Sequence, residues 1–292
     1  MRLLPGTLGF ELHSRRLSGR HARLSRSDPS GRSAQGWREG TNARLVDVFF
    51  EICGREDIPV LIECGAHEAA ASVRFIRGGT GRRAIALEAN PHTYAALTVK
   101  AAELGIETLQ AAVGARPGEG VLNIPSSGTG GGLVASDASL RVHRKWAAKN
   151  KSIHTVPVDI VTVDRVAKDR VTVGPIALWV DVEGFATEVL EGAEGLLREQ
   201  RIAVALVEVE AEQVYAEGSD ASAVMRILRQ GGLRPIARDH QFRTSTVFNV
   251  LFAHRSAQRS VRSLRRQIES VASANGQSIA SSTRGSTSAA SP

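Results

Sequence analysis

Short apolar runs alternate with stretches of helical periodicity through the middle of the chain. The runs at 59–64 (PVLIEC) and 83–89 (RAIALEA) are almost continuously apolar, and each ends near a glutamate, Glu63 and Glu88. Between them Ala70, Val73, Phe75 and Ile76 recur at mostly helical spacing within 67–77. After Asn90-Pro91 the pattern puts Tyr94, Leu97, Ala101 and Leu104 on one face and stops at Gly105, a residue suited to the left-handed position past a helix end. Residues 107–113 (ETLQAAV) predict a third strand and 176–184 (IALWVDVEG) a fourth. A helix follows, its apolar side formed by Phe185, Val189, Leu190, Ala193, Leu196 and Leu197. The run 202–210 predicts a fifth strand. A helix over 220–230 stops at Gly231-Gly232, and 233–238 with 247–254 form an antiparallel pair.

Strands that are apolar along their whole length, separated by helices, predict an α/β fold: a mostly parallel, seven-strand, Rossmann-like sheet with helices on both faces. Such sheets bind ligands beyond the carboxyl ends of their strands, where the strand order reverses. The polar residues at strand ends are therefore the candidates for chemistry: Glu63, Glu88, Asp181, Glu183, Glu208 and Glu210.

Composition narrows the classes. At 292 residues the chain is long enough for one large domain, and 42% apolar with 23% charged residues is an ordinary globular balance. Aromatics at 4% argue against a stacking platform for sugars or single-stranded nucleic acid. Two cysteines, Cys53 and Cys64, supply neither a disulfide framework nor a four-cysteine zinc site, and they point to a reducing, cytoplasmic compartment in which both pack as small apolar groups. No apolar run reaches the ~18 residues of a membrane span.

The net charge of +7 is unevenly placed. Residues 1–44 carry +6 and residues 256–292 carry +4, which leaves −3 for 45–255. The expected organisation is thus a basic N-terminal extension (1–44), one catalytic domain (45–255) and a low-complexity, disordered tail (256–292), with a short amphipathic helix over 261–271. The N-terminal segment lacks the apolar core of a secretory signal. Its Arg and Ser richness is transit-peptide-like, but Arg outnumbers Lys 32 to 5 throughout, so that richness says little. With basicity confined to the ends, no nucleic-acid footprint is expected on the domain.

The turn ECGAHEA (63–69) offers small residues for close approach of a ligand and helix-start N–H groups as donors. Glu88 suits the two hydroxyls of an adenosine ribose and repels a 2′-phosphate; the competing role, capping the next helix, is already filled by Asn90. Asp181 and Glu183 project to one side of the fourth strand end. Paired carboxylates there suit a general base, contact with a ligand's amino group, or a divalent cation such as Mg2+, and one of them, Glu183, also suits a helix cap. The sequence leaves these open.

The segments ECGAHEA, LEANPHTYAALTVKAAELG, AAVGARPGEGVLNIPSSG and LWVDVEGFATEVLEGAEGLL, in this order, resemble the FkbM-family methyltransferases over about residues 45–255. The resemblance implies a class I methyltransferase fold, S-adenosylmethionine as cofactor, and O-methylation of a sugar or natural-product hydroxyl. It implies cofactor contacts from Glu63, Gly65, Ala66 and His67 at the methionine end, Glu88 and Asn90 at the ribose, and Ala111 and Ala112 near the adenine, with Asp181 and Glu183 at the reacting centre. His67 stands where the family usually has Asn, Ala69 where it has Gly, and Trp179 where Lys is frequent.

Other features carry less. The glycine-rich 126–136 lacks the Lys-Ser/Thr ending of a P-loop and reads as a mobile loop or substrate lid. The basic segment 140–154 reads as a solvated face, with His143 and His154 as reserve candidates for a base; His154 is retained as the third catalytic candidate. The expected partner is a small-molecule or glycan acceptor. Two alternatives stand: a non-catalytic interaction module that keeps the fold without its cofactor, and an NAD-binding oxidoreductase. The latter is disfavoured because GAHEAA lacks the second and third glycines of the dinucleotide fingerprint.

Overall fold

The computed structural model describes residues 7–27, 32–125, 132–134, 153–171, 174–210, 221–240 and 247–273. The chain begins with α1 (Thr7–Ser27), α2 (Arg32–Arg55), β1 (Val60–Cys64), α3 (Ala70–Arg77), β2 (Arg83–Glu88), α4 (Pro91–Leu104) and β3 (Glu107–Gln110). It continues through β4 (Ala112–Val113), β5 (Gly118–Pro125), β6 (Gly132–Val134), β7 (Ile153–Val161), α5 (Val163–Arg170), β8 (Ile176–Val180), α6 (Ala186–Glu191) and α7 (Glu194–Arg198). The last part holds β9 (Ile202–Glu210), α8 (Ala221–Gln230), β10 (Leu233–Arg238), β11 (Val247–His254), a 3-10 turn, α9 (Gln258–Ser263) and α10 (Arg265–Val271).

The expected seven-strand sheet is present in the order β10-β11-β9-β8-β1-β2-β3. It is parallel throughout except for β11, which runs against both neighbours. β1 lies between β2 and β8, so the chain winds one way after β1 and the other way after β8. The crevice of a doubly wound sheet opens at that reversal.

Strand alternation explains the two-sided core. Ile62, Cys64, Ile85, Leu87, Leu178 and Val180 enter one apolar cluster with α5 to α8, while Leu61, Ala84, Ala86, Ala177 and Leu206 enter the other with α2, α3 and α4. Cys53 and Cys64 are buried free thiols. Helix α4 has the ends read from the sequence: the Asn90 side chain accepts from His92 N–H at 3.0 Å, Pro91 opens the helix, and Gly105 follows it at φ +66°.

The packed region runs past 45–255 on both sides. Helix α2 crosses the expected boundary: Ala34, Trp37 and Thr41 before it are buried, as are Leu45, Val48, Phe49 and Ile52 after it. Helix α1 packs on β10, and its Leu17 closes a small cluster with Trp37 and Ala272. Ile268 and Val271 of α10 complete the second cluster, so the helix expected over 261–271 is part of the core. The tail from 274 onward and residues 126–131, 135–152 (with His143) and 211–220 lie outside the described residues.

Three expected elements differ. The third strand splits: β3 ends at Gln110, and Ala112–Val113 leaves for a second sheet of order β4-β7-β5-β6. Part of the glycine-rich loop is strand β6, whose Leu133 pairs with Leu122 of β5. The helix after Asp181 breaks in two around Gly192, where a Cβ would lie 2.2 Å from the Gly114 carbonyl oxygen, so a side chain does not fit there. Asp164 repairs the break by accepting from the N–H groups of Gly195 and Leu196 at 2.7 and 2.9 Å. Replacing it, Asp164→Ala, leaves the first turn of α7 uncapped; urea denaturation followed by circular dichroism is expected to show a loss of about 1 kcal/mol.

Candidate functional site

The crevice is built from two loops whose backbones almost touch. Gly65, just past β1, adopts φ +79°, and a Cβ on it would fall 1.8 Å from the Asp181 carbonyl oxygen just past β8. Only glycine satisfies both the conformation and the space. The Gly65 and Ala66 N–H groups donate to Leu87 O at 3.0 and 2.9 Å, and Asp181 N–H donates to Cys64 O at 3.0 Å, so β1, β2 and β8 are laced together at their ends. Left-handed residues gather here: His67 (φ 46°) and Ala69 (φ 53°) after β1, Glu183 (φ 46°) and Gly184 (φ 91°) after β8. Non-glycine residues held so concentrate at functional sites because the surrounding contacts must enforce them.

Helix α3 starts in this loop without a side-chain cap of its own. Its orphan donors are met by Glu63, which reaches from β1 to accept from Ala71 N–H at 3.3 Å, from Ser72 N–H at 2.8 Å and from the Ser72 hydroxyl. Glu63 is buried, and burial pushes its carboxyl up to about 7 in spite of those donors. Glu88, at the end of β2, accepts from His67 N–H and from Asn90 N–H, both at 2.8 Å. A carboxylate has about four lone-pair positions, so two backbone donors fix its orientation and leave acceptor capacity for a ligand.

A cleft of about 290 Å³ opens beside these loops. Gly65, His67, Glu88, Asn90, Ala111, Ala112, Asp181 and Glu183 all line it, together with Thr93, Leu122, Val182 and Phe185. Glu63 and Ala66 stand behind the wall: the first anchors α3 and the second is buried against the sheet. His154 lies on β7, exposed and opposite Ile124 in the second sheet, and is not part of the cleft. Asn90 faces the cleft and also caps α4.

Beside the acidic wall of Glu88, Asp181 and Glu183 stands a carboxyl that the strand pattern pointed to but did not assign. Asp181 and Glu208 occupy the ends of the neighbouring strands β8 and β9, and their carboxyl groups hydrogen-bond. Solvent reaches Asp181 and Glu183, yet both stand in a concavity ringed by protein, which raises both carboxyls above their ordinary range; Asp181 also repels Glu183. Glu208 is the less exposed of the pair and is pushed up by burial and then by Asp181, Glu183 and Asp239. Glu208 therefore holds the proton and donates it in a hydrogen bond to Asp181. Behind them the buried Asp239 accepts from Asn249 N–H at 2.7 Å and from the side chain of Asn42 at 2.8 Å, a link to α2. Among the described residues no group of three or more His, Cys, Asp or Glu side chains is arranged to hold a metal ion, and no step below is routed through one.

Residues 63–243, more than half of the chain, match the family model described as the methyltransferase FkbM domain. Among solved structures the fold is similar to precorrin-6y C5,15-methyltransferase from Geobacter metallireducens GS-15, with TM-score 0.39 and 10% identity over 71% of this chain and 86% of that one. It is similar to magnesium protoporphyrin IX methyltransferase (ChlM) from Synechocystis PCC 6803 with bound SAM, at TM-score 0.38 and 8% identity over 76% and 81% of the two chains. EvdMO1 gives TM-score 0.39 and 9% identity over 73% of this chain, which spans 42% of that protein. At this level the likeness is one of general architecture. No curated protein matches the sequence.

The buried Glu63 gives a pH dependence with a definite sign. Folded, it keeps its proton up to about pH 7; unfolded, it releases it near 4.5. Its contribution is therefore full below about pH 4.5 and is lost as pH rises through 7. Relative to a Glu63→Gln variant, which has no proton to lose, the wild type is expected to lose on the order of 2–3 kcal/mol across that window, measured by denaturant titrations at a series of pH values. Parallel pH profiles for the two proteins contradict the assignment.

Proposed function

The chain belongs to the FkbM methyltransferase family and catalyses S-adenosylmethionine-dependent methylation; from that premise we propose that it methylates the hydroxyl oxygen of a sugar or natural product, with Asp181 as the base. The observation that carries the proposal is Asp181 on the acidic wall of the cleft at the sheet's reversal point, with the carboxyl of Glu208 paired to it from the neighbouring strand outside the lining. The choice of acceptor class rests on the resemblance to FkbM enzymes.

The residues present fit the cofactor. Glu88, held by two backbone donors, has acceptor sites left for the ribose hydroxyls. The alanines at 111 and 112, with Leu122 and Phe185, give an apolar wall for a flat ring, and Gly65 leaves backbone space at the loop. Three carboxyl-bearing side chains, Glu88, Asp181 and Glu183, complement a ligand that carries a sulfonium and an ammonium group. When bound, S-adenosylmethionine supplies the methyl group on a positively charged sulfur.

The protein's own part is positioning and proton removal. A protonated alcohol is a poor nucleophile, so its proton must leave as attack proceeds. Asp181 takes it. The concavity raises the affinity of Asp181 for a proton, and the hydrogen bond from Glu208 opposes that rise by favouring the charged aspartate. Rigid strand-end backbone holds this base in place, and alignment of the reacting groups supplies much of the rate.

Two measurements test the reading. S-adenosylhomocysteine at about 100 times its dissociation constant is expected to stabilise the full chain by about 2.7 kcal/mol in a thermal melt. A Glu88→Ala variant is expected to lose that shift; an undiminished shift in the variant removes Glu88 from the site. In turnover assays Asp181→Asn is expected to lower kcat by about 10²–10⁴-fold while cofactor binding persists. Glu208→Gln, which still donates, should leave the acid limb of the kcat profile near its wild-type position. Glu208→Leu, which cannot donate, should move it to higher pH, because Asp181 then holds its proton more tightly. Near-normal turnover by Asp181→Asn sinks the base assignment.

A further inference from the structure

On the face of the molecule formed by α2, α3 and α4 lies a groove of about 960 Å³ that shares no lining residue with the catalytic cleft. Six cationic side chains line it: Arg44 and Arg55 from α2, Arg74 and Arg77 from α3, Arg82 from the loop before β2, and Lys100 from α4. The acidic lining residues, Asp47 and Glu51, are already engaged. Asp47 pairs with Arg74 at 2.7 Å and with Arg44 at 3.9 Å, and Glu51 pairs with Arg55 at 3.7 Å. Lys100 pairs with Glu68 at 3.9 Å, and among the described residues no carboxylate pairs with Arg77 or Arg82.

Arg82 is built into the floor. Its guanidinium donates to Phe75 O at 3.2 Å and lies 4.8 Å from the centre of the Phe75 ring. It also lies across glycine backbone: a Cβ at Gly78 would come 2.5 Å from its Nη1, and one at Gly79 3.1 Å from its Nε. The run Arg77-Gly-Gly-Thr-Gly-Arg82 thus leaves out side chains where the guanidinium has to lie flat. Arg74 is stacked in the same way, 4.5 Å from the centre of the Phe50 ring. A guanidinium held so loses little freedom when it takes an oxyanion, and its planar donors match phosphate geometry.

We propose that this groove is a second ligand site, for a soluble molecule that carries two or more linked phosphate groups, separate from the methyl-transfer site. One phosphate meets Arg77 and Arg82, and the next meets the Arg44–Arg74 side. The volume is at the upper end of small-ligand sites. Phe50, the one aromatic among the lining residues, carries the Arg74 guanidinium on its ring and does not offer that face to a nucleic-acid base, which turns recognition toward the phosphates themselves. The groove is concave, so a flat bilayer does not reach its floor. Half of it belongs to α2, which precedes the segment matching the family model, so the site is a feature of this chain rather than of the matched domain. Helix α3, about 12 Å long at 1.5 Å per residue, runs from the cofactor loop to the groove.

Inorganic tripolyphosphate is the probe, titrated calorimetrically into the full chain at physiological ionic strength. Binding is expected, with orthophosphate at least about tenfold weaker because a single phosphate spans only one end of the groove. Arg77→Gln changes an exposed side chain with no packing role, so the fold is retained; it is expected to weaken tripolyphosphate by about tenfold and leave the S-adenosylhomocysteine thermal shift unchanged. Arg82→Gln should weaken it further. No heat with about 1 mM tripolyphosphate, or equal affinity in Arg77→Gln, overturns the site. A short RNA or DNA that binds more tightly than tripolyphosphate and loses its affinity in Arg77→Gln also overturns it, since the partner is then nucleic acid. Anionic vesicles that retain the wild type but not Arg77→Gln overturn it in favour of a membrane surface.

Discussion

At the reversal point of the sheet, a Cβ on Gly65 would lie 1.8 Å from the carbonyl oxygen of Asp181, and the arrangement of the site follows from that contact. Two parallel strands that diverge in connectivity but remain neighbours bring their exit loops together, and the loops clear each other only if one of them has no side chain. Once glycine permits the approach, the Asp181 N–H bonds to Cys64 O, and the Asp181 side chain is carried to the mouth of the cleft. The cost appears nearby as three non-glycine residues in left-handed conformations, His67, Ala69 and Glu183. Two of these, His67 and Ala69, are among the three positions where the chain departs from the usual family residues. Asn and Gly, the residues usual there, are those that tolerate that conformation best, so these two departures fall on left-handed backbone.

The carboxylates at the strand ends look alike in sequence but do different work because their donors differ. Glu63 is surrounded by helix-start N–H groups and becomes an internal cap. Glu88 is half engaged by backbone and half open to the cleft. Asp181 and Glu208 face each other, and with too few donors for two charges they share a proton. The division of labour is one of hydrogen-bond supply: a carboxylate whose acceptor capacity is consumed by the fold is structural, and one whose capacity remains is available to a ligand.

The helices before the family segment change the picture of the whole. A segment with a charge of +6 reads from the sequence as a solvated extension, yet it buries Leu17, Ala34, Trp37 and Thr41 and supplies Asn42 to the network behind Glu208. Its Arg44 meets cations of the slightly acidic middle segment on one face. A charge total cannot see this. Residues of one sign that are dispersed along the chain are gathered by packing, and acids of the same segment are sent to the cleft.

The sequence by itself determined the sheet, the alternating two-sided core, the caps of α4 and which polar residues stand at the strand ends, because periodicity and capping are local and act within a few residues. It also placed Gly65, Glu88, Asp181 and Glu183 on the list that the cleft brings together. Tertiary structure alone decided the rest. Glu63 withdrew to cap α3 across eight positions of chain, His154 went to a second sheet, and Glu208 gained its role only when β9 paired with β8. The close approach of Gly192 to Gly114 came from packing, and the cationic groove from helices far apart in sequence. Each depends on which atoms meet across the fold, and pattern within one segment carries no information about the surface that another segment presents to it.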